Sequence, residues 1–194
     1  MQARARAAGH AMHPVLMVFP LGLLSTSVVF DLIYFVTDDG RYASAAFLMI
    51  AAGIIGGLVA GAAGFLDWLK IPRGTRAKRI GAIHGIGNEV MLGIFAVSWL
   101  IRLSRDGDHA PNAIAFLLSL AAIGLAGVTG WLGSELVERL GVAVHPGAHV
   151  DAPSSLRTKV IDLRQSDLLG ATDVPPRPAG AVVDGGLPKA TRPH

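Results

Sequence analysis

The sequence predicts an all-α fold, an integral-membrane, up-and-down four-helix bundle followed by a disordered C-terminal tail. Three observations predict it. Of 194 residues, 52% are hydrophobic and 16% charged, with a mean hydropathy of +0.50, whereas soluble domains run near about 25% charged. The apolar residues collect in four windows, 14–36, 45–69, 80–101 and 112–133, each longer than the roughly 18 residues that mark a span of a hydrocarbon core about 30 Å thick. Seven of the eleven prolines lie beyond residue 145, where no apolar period persists.

The chain divides into an arm at 1–12, a four-helix domain at 13–143 and a tail at 144–194. Arg4 and Arg6 precede the first apolar window, in the manner of a signal peptide, and Ala43-Ser44-Ala45 resembles a cleavage site. The window is longer than the roughly 7–15 residues of a signal h-region, so a retained first helix is expected. Pro20 falls inside it, where it removes one backbone hydrogen bond and should kink the helix. The second window carries Gly53, Gly57 and Gly61 at four-residue spacing, with Gly56 and Gly64. The fourth carries Gly124, Gly127, Gly130 and Gly133 at three-residue spacing. Such stripes let membrane helices pack closely, and would also admit a flat cofactor. In the tail, Leu156–Leu169 has the spacing of one amphipathic helix, and the Pro-Pro-Arg-Pro-Ala-Gly composition after Val174 reads as disorder.

Charge sets the orientation and excludes one class of partner. The 70–79 loop holds Lys70, Arg73, Arg76, Lys78 and Arg79 without an acid. The 37–44 loop has only Arg41 as a base, and in the 102–111 loop Arg102 and Arg105 are offset by Asp106 and Asp108. Basic loops mark the cytoplasmic side, so both termini and the 70–79 loop are expected in the cytoplasm of a bacterial cell, with the protein multi-pass in the inner membrane. The formal charge of +3 does not form a basic face, because residues 13–140 hold nine Lys/Arg and nine Asp/Glu; no nucleic-acid partner is expected. Membrane lipid is the expected surroundings, with other membrane subunits or a homo-oligomer as candidate partners through the glycine-rich faces. Cysteine is absent, which removes disulfides, thiolate metal sites and thiol catalysis.

Ionisable residues inside spans are costly and point to function. His13 and Pro14 open the first window, Asp67 and Trp68 close the second, His84 and Asn88 lie early in the third, and Glu135 follows Trp131 at the end of the fourth. All five polar residues fall at one depth, near the basic loop. Asp31 lies about 27 Å along the helix from His13, toward the opposite face. His84, Asn88 and Met91 share one helix side. Glu89 is turned away from Asn88, toward Lys70 or Arg79. Taken singly, His13 reads as a helix-end residue and His84 as the partner of Asp67 or Glu135. Taken together they permit three chemistries. His13 and His84, on diagonal helices of an up-down bundle, could ligate haem b from opposite sides, with Asn88 beside them. His13, His84, Asp67 and Glu135 could hold a non-haem metal as an N/O set. The same groups could relay protons without a metal. His10, His109, His145 and His149 read as solvated. Electron transfer at a haem or metal site is therefore one expected function, and a non-catalytic accessory subunit packing against partner helices is the other. Whether the protein is an enzyme stays open.

The ordered residues His13-Pro14-x4-Phe19-Pro20-x-Gly22-Leu23, Gly64-x2-Asp67-Trp68, His84 with Asn88, and Gly130-Trp131-x-Gly133-x-Glu135-Leu136 resemble a bacterial family of predicted four-helix membrane proteins, domain of unknown function twenty-two thirty-one. The resemblance covers about residues 12–143 and implies fold and topology. Members often continue into a Tyr-Arg-His-Gly-Val-like segment, and here Leu140 stands where that histidine is often found.

Overall fold

A computed structural model describes residues 6–7, 10–152 and 154. The helix expected at 156–169 and the disorder expected after residue 174 lie outside the described residues. Four long helices make up the body: α1 (Met12–Thr37), α2 (Gly40–Leu69), α3 (Arg76–Leu103) and α4 (Ala113–Ser134), the last running into a π-helical turn at Glu135–Arg139. Before α1, two short strands, β1 (Arg6–Ala7) and β2 (His10–Ala11), pair antiparallel.

Caps set the helix ends, and they lengthen α2 and α3 beyond their apolar windows. Asp39 accepts from the Arg41 N–H and starts α2, while Thr75 accepts from the Lys78 N–H and starts α3. Asn112 does the same for α4 through Ala115. Each cap satisfies one of the donors a helix start leaves without partners. The Arg41 side chain and backbone N–H both bond the exposed Asp39 carboxylate and hold it below the usual carboxylate range. A left-handed residue, Asp38 with φ 54°, ends α1 and lets the chain reverse within two residues.

α1 packs on α2 and α3 on α4 as two antiparallel hairpins joined along α2 and α3, with α1 and α4 in lighter contact. α1 and α3 therefore run parallel and stand opposite each other across the bundle. Leu24, Val28, Ile50, Met91, Leu92, Phe95 and Ala122 fill the centre. Glycines of α2 admit neighbouring side chains: a Cβ at Gly53 would come within 2.7 Å of Leu24, and one at Gly57 within 2.6 Å of Leu92. At Gly124, Gly127 and Gly130 of α4 it would meet nothing within 4 Å, so that stripe serves no close packing among the described residues.

The outside of the bundle is apolar. Only 22–28% of each helix's most apolar stretch is buried in the protein, and Val18, Ile55, Ile86 and Ile114 are all more than half exposed. Such a surface is untenable in water over this area and is what lipid requires. The four helices are long and apolar enough to cross a bilayer, and the chain is an integral membrane protein.

Two loop assignments change. Arg102 belongs to α3, not to the following loop, and is fully buried. Its guanidinium holds both oxygens of Asp31 at 2.6 Å, and Asp31 is also fully buried. His109 is not solvated: its Nδ1 lies 3.2 Å from the Arg102 carbonyl, and its ring stacks on Phe47 at 4.2 Å, which in turn stacks on Trp99 at 5.1 Å.

Candidate functional site

The site begins with two histidines held in the same way. On α1, His13 Nδ1 lies 2.8 Å from the Ala60 carbonyl of α2. On α3, His84 Nδ1 lies 2.8 Å from the Thr129 carbonyl of α4. A carbonyl only accepts, so each Nδ1 carries the proton and donates it, and each Nε2 keeps its lone pair. Four residues after each carbonyl comes a glycine, Gly64 and Gly133. A Cβ at Gly64 would come within 2.8 Å of His13 Nδ1, and one at Gly133 within 3.0 Å of His84 Cε1. Each ring therefore lies against bare helix backbone, close enough to reach a carbonyl already used by the α-helix. The two hairpins repeat one device, histidine at the start of the first helix and carbonyl-plus-glycine near the end of the second.

The repeat brings the rings face to edge. Their centres are 6.2 Å apart and their planes 87° apart. Two imidazoles bound through one nitrogen each to a common metal, at about 2.0–2.1 Å per bond, have ring centres about 6.3 Å apart when the ligands are opposite. The observed centre spacing is close to that value.

Asn88 and Thr129 complete the surroundings of His84. Asn88 Nδ2 donates to the His84 carbonyl at 2.9 Å and stands 3.2 Å from His84 Nε2, while Thr129 Oγ1 donates to Asn88 Oδ1 at 3.0 Å. The amide thus stands at the lone pair that a metal would take. For His84 to ligate through Nε2, Asn88 must swing aside.

A cavity of about 600 Å³ surrounds the pair. Its walls are mostly apolar and include Met17, Leu24, Met91 and Leu92 with the backbone of Gly57 and Gly61. Its size lies within the roughly 300–1,000 Å³ of cofactor sites.

Glu135 pairs with an arginine and not with a histidine. Glu135 Oε1 accepts from Arg76 Nη2 at 2.7 Å in a pair open to solvent. Asp67 lines the cavity at the end of α2. Among the described residues no three His, Asp or Glu side chains stand close enough to hold a metal ion. The set His13, His84, Asp67 and Glu135 is therefore not assembled, because Arg76, drawn into α3 by the Thr75 cap, takes Glu135 away. His84 bonds a backbone carbonyl where a carboxylate partner was expected.

Glu89 was expected to pair with Lys70 or Arg79, and among the described residues Arg41, Arg76 and Arg102 form ion pairs with other acids, not with it. It lines the same cavity, with Oε1 only 2.9 Å from where a Gly61 Cβ would lie. Sequence reasoning gave it no place in the site, although its position in mid-span was the available signal.

No curated protein and no solved structure matches this chain. A family model described as "Predicted membrane protein (DUF2231)" matches residues 9–146, which takes in all four helices and both histidines. The chain belongs to the DUF2231 family of predicted membrane proteins.

Proposed function

We propose that this protein binds one haem b between His13 and His84 and serves electron transfer in the bacterial inner membrane. The observation that carries the proposal is the pair of Nδ1-anchored imidazoles with ring centres 6.2 Å apart. Two protein ligands suit haem better than a bare ion, since the porphyrin brings the remaining ligands itself and, among the described residues, no group of three His, Asp or Glu side chains is gathered there. Bound haem would supply a one-electron couple whose potential depends on its axial ligands and their surroundings.

The chain's own residues have defined tasks in this scheme. The Ala60 and Thr129 carbonyls fix the tautomer and ring orientation. Gly64 and Gly133 let the rings come close enough to be held. The apolar walls exclude water. Asn88 keeps the His84 lone pair satisfied until a ligand takes it. The five basic residues at 70–79 support an orientation with this end and both termini in the cytoplasm.

The test is the reduced-minus-oxidised spectrum of protein purified from a haem-sufficient host. A haem b spectrum is expected, absent in His84→Ala and lost or altered in spin state in His13→Ala. A folded, colourless protein, or equal haem in both variants, would refute the proposal. A second reading, an accessory subunit, is favoured by the α4 glycines Gly124 and Gly127, which face open space and offer a partner helix close approach. A stable complex that survives purification without haem would favour it.

A further inference from the structure

At the end of the bundle away from the histidines lies an ion pair that the proposed haem site does not use. Asp31 and Arg102 are both fully buried, joined by two bonds of 2.6 Å. Ser119 Oγ takes a further Arg102 proton at 3.2 Å, and Ser98 Oγ, 2.9 Å from Ser119 Oγ, donates to the Ala115 carbonyl. Such a pair is poor evidence for stability, since both charges lose their hydration, and its best-attested use is to fix register.

The positions make that use specific. Asp31 comes eighteen residues after His13, and Arg102 eighteen after His84. Eighteen residues are about five turns of helix at about 3.6 per turn. On each helix the charge therefore lies on the histidine's own face, about 27 Å further along. Between them runs a buried stripe, Leu24 and Val28 on α1 and Met91 and Phe95 on α3. α1 and α3 run parallel across the bundle, so the histidines and the ion pair form two rungs across one diagonal, at equal heights on both rails.

We infer that Asp31 and Arg102 are positioning residues that lock α3 in register with α1 and so set the spacing of His13 and His84. A slip of one residue moves a helix by about 1.5 Å and turns it by about 100°. A paired guanidinium and carboxylate, bonded at both oxygens, do not permit that. A ligand pair needs its geometry held within about 0.5 Å, and α1 and α3, which do not pack directly side by side, have no other charged link. The inference rests on the haem proposal for its function, but its geometry is tested separately.

The protein has no cysteine, so His13→Cys/His84→Cys introduces the only thiols. A short thiol-to-thiol cross-linker should join them rapidly in membranes. Adding Asp31→Leu/Arg102→Leu, which leaves no lone buried charge, should slow the reaction several-fold. Adding the exchanged pair Asp31→Arg/Arg102→Asp should restore much of the rate. In the full chain with both histidines, Asp31→Leu/Arg102→Leu should bind haem at least tenfold more weakly and with mixed spin, while the haem-free protein melts close to the parent. Unchanged cross-linking in the leucine variant would overturn the inference. Slowed cross-linking in a parent that never takes haem would uphold the register lock and refute the haem proposal instead.

Discussion

Gly64→Ala tests the ligand geometry most sharply among single substitutions. The new Cβ would stand 2.8 Å from His13 Nδ1 and 2.9 Å from Cε1, where ordinary contact begins at 3.4 Å. The ring must retreat by about 0.6 Å, and the atom pushed hardest is the one bonded to the Ala60 carbonyl at 2.8 Å. Metal–ligand distances tolerate about 0.2 Å, and the loss of an outer-shell partner costs about 10–100-fold in affinity. Haem affinity should fall by about that factor, with some iron leaving the six-coordinate low-spin state. Gly133→Ala is the graded control, because its Cβ would meet His84 Cε1 at 3.0 Å and Nδ1 at 3.4 Å, and a smaller loss is expected. Gly124→Ala and Gly127→Ala meet nothing within 4 Å and should bind as the parent does. The assay is titration of haem into haem-free protein in detergent, followed in the Soret region. If Gly64→Ala binds like the parent, or if all four variants lose affinity equally, the backbone-anchored histidine account fails.

Other expectations follow from the same geometry. Asn88→Ala removes the amide 3.2 Å from His84 Nε2 and should leave haem affinity unchanged or raise it a few-fold; loss of haem, measured by the same titration, would make Asn88 a necessary holder of the cofactor. Glu89→Gln removes a carboxylate from the cavity wall, which should raise the midpoint potential by on the order of tens of millivolts. A potentiometric titration showing no shift would place that carboxylate outside the iron's field. Arg76→Ala breaks an ion pair with a half-exposed arginine, a contact worth about 0–1 kcal/mol. Haem content should not change, and a marked loss would return Glu135 to the site. Asp31→Leu alone strands the Arg102 charge and should lower stability by about 3–5 kcal/mol, visible as a fall in the thermal midpoint that adding Arg102→Leu then largely reverses.

Much of the fold was legible because membrane burial writes itself into long apolar runs, and the short loops leave the topology few options. His13 and His84 were legible for the converse reason, that a polar residue in a span must have a use. The partners were not. Both rings bond backbone carbonyls, and a carbonyl looks the same whichever side chain follows it; only the glycines four residues later, Gly64 and Gly133, leave a trace. Glu135 was misassigned because a cap at Thr75 brings Arg76 into α3 within reach of it, a tertiary contact that local charge does not reveal. Arg102 was grouped with Arg105, Asp106 and Asp108 by proximity in sequence, although the eighteen-residue interval that it shares with Asp31 places it on the buried face. His109 gains its place through the Arg102 carbonyl and through Phe47, sixty-two residues away.

The central claim is that both histidines ligate one iron. Ferric electron paramagnetic resonance on protein purified from haem-sufficient cells tests it directly. With both Nε2 atoms on iron and ring planes 87° apart, the spectrum should be wholly low-spin, with the strong anisotropy of perpendicular axial imidazoles, and should turn high-spin or vanish in His84→Ala. A high-spin signal in the parent, or a low-spin signal that survives loss of either histidine, would contradict it.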